Sequence, residues 1–160
     1  MTLFNKCFAM PNSETFKIKP IREFVEHWTT QVINPIIVDP FARNSRVGTI
    51  TNDLNPDTDA MYHLKADAFL NMLIDQKIQA DVVLYDPPYS PRQISECYSA
   101  SGIKTTQQDT QSSFYTIIKN LIRPLVKPNG IVLSFGWNSM GVGKTFGKCE
   151  EILLVNHGGA

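Results

Sequence analysis

Charge of either sign is in balance, with 15 Lys and Arg against 15 Asp and Glu in 160 residues. No whole-molecule field therefore steers the chain toward nucleic acid, and contact with phosphates has to come from local patches. Cysteine is scarce. Cys7, Cys97 and Cys149 are widely spaced with no Cys-x-x-Cys pair, which argues against a disulfide scaffold or a zinc ribbon and fits free thiols in a reducing compartment. His27, His63 and His157 are isolated, without metal-ligand spacing, so no metal is expected. No apolar run approaches the length that spans a bilayer, and the N-terminal stretch lacks the apolar core of a signal peptide. A soluble, cytoplasmic protein with no membrane association is expected. There is no internal repeat or low-complexity tract, and the length predicts one domain over 1–160 with no room for a second.

What is present is an alternation of apolar runs and helix-like stretches, the pattern of an α/β fold with a mostly parallel sheet. Pro20 opens a segment whose Ile21, Phe24, Val25 and Trp28 fall on one helical face. Ile36-Ile37-Val38 and Gly48-Thr49-Ile50-Thr51 read as strands ending at Asp39-Pro40 and Asn52-Asp53. Met61 to Leu64 reads as a third, followed by Asp67 and a helix bearing Phe69, Leu70, Met72 and Leu73. Val82-Val83-Leu84-Tyr85 is a fourth strand, Phe114 to Val126 a helix with Pro124 near its end, Asn129-Gly130 a turn, and Ile131 to Phe135 and Glu151 to Val155 a fifth and sixth strand. Two features depart from a full doubly wound sheet. The Val38-to-Thr49 connection is too short for a helical crossover, and the last apolar strand lacks the further edge partner it would ordinarily take, so the sheet is expected to be minimal or to continue elsewhere.

The most informative segment is Asp86-Pro87-Pro88-Tyr89. A buried strand delivers this acid to the C-terminal edge of the sheet, where open α/β folds place their chemistry. Two prolines fix φ twice and remove two donors, leaving carbonyl acceptors beside an aromatic ring. Acceptors next to a flat apolar face suit an amino group on an aromatic base. Alone, the tetrapeptide is as readily a strand-ending turn, and Asp39 or Asp53 alone is more often a cap. Their shared edge is what raises them above that.

Taken in order, Met10 to Phe16, Asp39-Pro40-Phe41-Ala42, Asn52-Asp53, Asp67 and Asp86-Pro87-Pro88-Tyr89 resemble the motifs of amino-group DNA methyltransferases, especially small phage-type adenine N6-methyltransferases with an Asp-Pro-Pro-Tyr motif. The resemblance covers nearly the whole chain. It implies a Rossmann-like doubly wound fold in a minimal version, with S-adenosyl-L-methionine across the C-terminal strand edges and no separate target-recognition domain. Under it, Asp39 and Phe41 border the methionine and adenosine parts of the cofactor, Asp53 accepts from the ribose hydroxyls, Asp67 takes a bond from the adenine amino group, and Thr15 and Phe16 close over the cofactor. Asp86 and the Pro87 carbonyl, within the catalytic set Asp86, Pro87, Pro88 and Tyr89, accept the amino hydrogens of a flipped or unpaired adenine that stacks on Tyr89.

Where the family carries glycines after Phe41, Arg43-Asn44-Ser45 stand here, which is expected to crowd a close backbone approach or to turn Arg43 and Arg46 toward nucleic-acid phosphates. The polar stretch between Tyr89 and Asp109 reads as a long loop or a loop with a short helix; sequence preference, expected to be weak or very short, falls to its Ser90-to-Gln108 part with Arg92 and Lys104, or to a partner that supplies it, and a homodimer is left open. Lys119, Arg123 and Lys127 read as a solvated face, Phe135 and Trp137 as core or rim packing, and Gly141 to Thr145 as a loop without phosphate-loop spacing. Alternatives are a non-catalytic cofactor-binding subunit, and amino methylation of RNA, of cytosine N4 or of a protein glutamine.

Overall fold

A computed structural model of the protein describes residues 1–104 and 112–158. Residues 105–108 of the expected recognition loop lie outside the described residues. The chain divides into two compact units, Asn34–Val142 and Met1–Ile33 with Gly143–Ala160.

The larger unit is built on four parallel strands, β2 (Ile37–Asp39), β3 (Ile50–Thr51), β4 (Ala80–Tyr85) and β5 (Val126–Ser134), in the order β3-β2-β4-β5. The β-branched run of β4 is buried from Val82 to Tyr85, as a strand covered on both faces requires. No helix joins β2 to β3; Pro40–Thr49 passes through turns, as its length predicts. The chain then crosses from β3 to β4 through α2 (Ala66–Asp75), and from β4 to β5 through α3 (Pro91–Ala100) and α4 (Ser112–Leu125). Both crossovers step in the same direction across the sheet. The right-handed rule then lays α2 and α4 on one face, where they pack together through buried Phe69, Leu70 and Leu73 on α2 and Ile118, Ile122 and Leu125 on α4.

The expected turn at Asn129-Gly130 is an excursion within β5. Ala80 pairs with Val126 and Val82 with Ile131, so Lys127 to Gly130 is extruded from the ladder, with Asn129 at φ 63°. A Cβ on Gly130 would lie 2.7 Å from Val126 Cγ1. Lys127 also departs from expectation, because it is not on a helix: its Nζ donates to Asp81 Oδ1 at 2.8 Å, while Ile36 N donates to Asp81 Oδ2 at 2.8 Å. The hydrogen bond from Lys127, and then that from Ile36, hold the Asp81 carboxyl below its usual range.

One expected feature is corrected. Met61 to Leu64 forms no strand; it contributes one parallel bridge, Asn52 with Tyr62. The buried Asn52 side chain replaces the missing ladder, its Nδ2 donating to Pro40 O (3.2 Å) and Leu64 O (3.0 Å) and its Oδ1 accepting from Leu64 N (3.0 Å). Of the two readings of the polar stretch after Tyr89, the structure has the one with a short helix, the ten-residue α3. Ser90 caps it by accepting from Gln93 N at 3.2 Å, with Pro91 in the first turn, and Ile94 and Tyr98 are buried one turn apart.

In the smaller unit β6 (Glu151–Asn156) does not extend the main sheet. It pairs in parallel with a strand the sequence did not suggest, β1 (Leu3–Phe8). Helix α1 (Lys19–Thr29), with its proline in the first turn, packs on β6, and Trp28 Nε1 donates to Glu151 Oε2 at 3.0 Å. Among the described residues no helix is long and apolar enough to cross a membrane.

The α2–α4 contact sets a first prediction. Leu70→Ala removes a fully buried side chain and should cost about 2–5 kcal/mol. Asn71→Ala, on the exposed side of the same helix, should stay within about 0.5 kcal/mol. Urea unfolding of the two variants reads the difference.

Candidate active site at the strand edge

The pairing of β2 with β4 positions the site. Val38 lies opposite Val83, so strict alternation along each strand puts Asp39, Leu84 and Asp86 on one face of the sheet. The chain leaves β2 toward β3 on one side and leaves β4 toward β5 on the other. This is a topological switch point, where open sheets form a crevice at their carboxyl ends. Asp39 and Asp86 therefore stand at neighbouring strand ends, one on the β2 bank and one on the β4 bank of this switch point.

Asp39 is fully buried. Its Oδ1 accepts from Phe41 N at 3.1 Å, while its buried Oδ2 has no hydrogen-bond partner. Burial pushes the carboxyl up to about 8 against the pull of the Phe41 N–H, and the nearby charges of Asp86 and Asp53 raise it further. At neutral pH the group is largely protonated. Gly48 makes the room: a Cβ there would lie 2.9 Å from both Asp39 Cβ and Thr51 Cγ2.

Asp53, the acid expected to meet ribose, has both oxygens engaged locally. Oδ2 accepts from Arg43 N at 2.9 Å and Oδ1 from Asn55 N at 2.9 Å. Each oxygen retains capacity for a second donor. The bond to Arg43 N stabilises an unusual turn, because Arg43 has φ 50°, the left-handed conformation that glycine adopts without penalty. The backbone geometry that glycine would serve is thus present here, carried by arginine at a cost of about 1 kcal/mol. Arg46 is held at the surface by Asp59, Nη2 to Oδ2 at 3.2 Å.

Phe41 is half-buried and meets Tyr85 and Phe114 edge-on, each with centroids 6.4 Å apart. The Tyr85 hydroxyl is buried without a partner; burial, and then the neighbouring Tyr115, push its pKa up. Asp67 is corrected in setting. With no strand before it, it is an exposed acid in the first turn of α2, a position the helix dipole favours by itself. Thr15 and Phe16 form part of a single 3-10 turn, Thr15–Lys17, in the smaller unit.

The tetrapeptide leaves β4 directly. Pro87 is buried, and Tyr89 is 38% exposed. Tyr89 Oη donates to Asp86 Oδ1 at 2.5 Å, which holds the ring beside the carboxylate. Tyr89 N donates to Gln93 Oε1 at 2.7 Å, and Tyr115 Oη donates to the Pro88 carbonyl at 2.6 Å. Trp137, expected in the packing, is 87% exposed. Its ring stands edge-on to Tyr89 with centroids 6.2 Å apart, because pairing of Tyr85 with Ser134 brings the chain after β5 alongside the chain after β4.

Helix α3 covers the turn on the other bank. The Cys97 thiol is pushed up by burial and also senses the charges of Asp53 and Arg43; Lys65 Nζ lies 4.9 Å from the Tyr98 ring centroid. Arg92, expected to help read nucleic acid, bonds Glu96 along the helix at 2.8 Å. A concavity of about 500 Å³ lies at the end of α3. Ser99, Gly102, Ile103 and Lys104 line it, all within the stretch expected to read the target, and none of the residues expected to be catalytic or to hold the cofactor does. Gln93, Tyr115, Trp137 and Asn52 are the site-adjacent residues missing from the sequence-based set. Only Gln93 had a local signal, the Ser-x-x-Gln spacing of a capping box.

Comparison of the chain with protein-family models, with curated proteins and with solved structures gives no match.

Asp39 gives a pH prediction whose sign follows from linkage. Its folded-state pKa of about 8 lies above the ordinary 3.8, so between those values the native state holds a proton that the unfolded chain releases. This contribution to stability is complete at low pH and is lost as pH rises toward 8, at roughly 1 kcal/mol per pH unit in mid-window. Asp39→Asn removes the titration. Urea midpoints at pH 5 and pH 7.5 should show wild type losing stability relative to this variant; parallel pH dependences would contradict a neutral buried Asp39.

Proposed function

We propose that the chain is an S-adenosyl-L-methionine-dependent methyltransferase with a minimal Rossmann-like fold, acting on the exocyclic amino group of adenine in DNA. The observation that carries this reading is the placement of Asp39 and Asp86 on one sheet face at the switch point, with Tyr89 bonded to Asp86. Its adenine preference and its DNA substrate rest on the resemblance of Asp86-Pro87-Pro88-Tyr89 to the adenine-specific enzymes.

The donor set suits the cofactor. The charges of Asp86 and Asp53 both act on the buried Asp39, and a strand edge that gathers acids in this way favours a cation. Asp39 Oδ2, buried without a partner, is the acceptor a cationic amino group would satisfy, and its arrival would ionise the carboxyl. Asp53 would accept from the ribose hydroxyls with its remaining lone pairs. Phe41 and its aromatic neighbours supply apolar surface. When bound, the cofactor supplies a methyl group on a sulfonium.

On the acceptor side the problem is nucleophilicity, because the adenine amino nitrogen donates its lone pair into the ring. Asp86 and the Pro87 carbonyl accept one amino hydrogen each, which makes the nitrogen more tetrahedral and frees its lone pair. The lone pair would then face the methyl group that the cofactor supplies. The methylated nitrogen then sheds one proton, for which Asp86 is the acceptor. Preorganised acceptors of this kind act through positioning and electrostatics. Tyr89 offers its ring to a base taken out of the duplex, offsetting an unstacking cost of about a few kcal/mol. The same acids oppose DNA phosphates. With the basic residues no more numerous than the acidic ones, few phosphates are neutralised, and affinity for duplex should be weak with a shallow salt dependence.

The test separates chemistry from binding. With labelled cofactor and unmethylated DNA, Asp86→Ala should lower transfer by at least about a hundredfold while cofactor binding changes little. Asp53→Asn should weaken cofactor binding more than it slows transfer at saturation. Cofactor retained by wild type with no transfer to any DNA would favour a non-catalytic binding subunit. Transfer that survives Asp86→Ala would remove the assignment.

A further inference from the structure

The peptide between Pro88 and Tyr89 is held at both of its hydrogen-bonding groups by side chains from two different helices. Its carbonyl accepts from Tyr115 Oη on α4 at 2.6 Å, and its N–H donates to Gln93 Oε1 on α3 at 2.7 Å. A peptide unit is planar, so two bonds on opposite edges fix the orientation of the whole plane. Tyr115 is held in turn by Phe114, edge-on at 5.4 Å, and Phe114 by Phe41. Gln93 is held by its own N–H to Ser90 Oγ. In an ordinary capping box the N3 glutamine would reach back to the N–H of the cap residue. Here it reaches one residue further, to Tyr89.

Upstream, the end of β4 is fixed by Phe135 N donating to Tyr85 O at 2.9 Å. Between that anchor and the clamped peptide lie Asp86, Pro87 and Pro88, and the two proline rings remove two φ rotations. Few soft torsions remain. The direction of the Pro87 carbonyl and the placement of the Tyr89 ring are then set by the clamp, and the Pro88 carbonyl, already engaged by Tyr115, is withdrawn from competition for the amino group.

We propose that Gln93 and Tyr115 are positioning residues that lock the Pro88–Tyr89 peptide, and thereby aim the Pro87 carbonyl and the Tyr89 ring at the acceptor base. This rests on the methyl-transfer reading above. Tyr115→Phe keeps the ring and removes only the hydroxyl; Gln93→Leu removes the amide and with it the acceptor. Each should lower kcat about tenfold or more, as small misplacements of reacting groups do, with cofactor Kd within about twofold of wild type. The double variant should fall little further than either single one, since both act on one peptide.

A readout independent of activity is the exchange rate of the Tyr89 amide, followed by NMR on the protein alone. Gln93→Leu removes its acceptor and should speed exchange, and Tyr115→Phe, which does not touch that amide, should speed it several-fold as well. Unchanged Tyr89 exchange in Tyr115→Phe overturns the clamp whatever the activity. Faster exchange with unchanged kcat overturns its part in transfer. A wild type that transfers no methyl, with exchange behaving as expected, overturns the methyl-transfer reading and the catalytic role with it, and leaves the lock itself standing.

Discussion

The pairing of Val38 with Val83 is the constraint on which the rest depends. Side chains alternate along a strand with a period of two, so a one-residue slip of β4 against β2 would send Asp86 to the opposite face from Asp39. In the observed register the two acids share a face, and the charge of Asp86 adds to the cost of ionising Asp39. The register is in turn secured by burial, since Ile37, Val38, Val82, Val83 and Leu84 are all inaccessible to solvent or nearly so. It is secured also by Asp81, which ties the starts of β2 and β5 through Ile36 N and Lys127 Nζ. A core contact at one end of the sheet thus decides the chemistry available at the other.

Burial of Asp39 and exposure of the aromatic pair divide the strand edge into two environments. On the β2 bank, a neutral carboxyl with one orphaned oxygen stores an electrostatic demand that a cation answers. On the β4 bank, Tyr89 and Trp137 present rings to solvent at the ends of neighbouring strands, where a planar base has access. Between them runs the tetrapeptide, stiffened by two prolines and clamped by Gln93 and Tyr115. The arrangement suits a reaction in which the protein aligns two partners and contributes no covalent step.

Much of the larger unit was legible in the sequence because its determinants are local. The β-branched runs of β2, β4 and β5 and the apolar periodicity of α2 and α4 identify themselves, as does that of α1 in the smaller unit, and the strand-ending acids Asp39 and Asp86 follow from those runs. What was missed is non-local or masked by polarity. Nothing in Leu3–Phe8 points to pairing with Glu151–Asn156, since Asn5 and Lys6 interrupt its apolar character and its partner lies at the far end of the chain. Helix α3 was only one of two readings of its stretch, because its polar outer face masks the apolar periodicity, although Ser90-Pro91 and Gln93 carry the start signal. Met61 to Leu64 looked like a strand, but a side-chain amide, Asn52, meets the hydrogen bonds a ladder would have met. Arg43 in a left-handed turn contradicts residue preference and is legible only from coordinates.

The most direct measurement is the identity of the modified base. Unmethylated DNA incubated with the protein and S-adenosyl-L-methionine, digested to nucleosides and separated by mass and retention, should yield N6-methyladenosine in its deoxy form and no other methylated nucleoside. DNA returned unmodified from single-stranded and duplex substrates alike, or methylated at a ring carbon where no amino group is involved, would contradict the account.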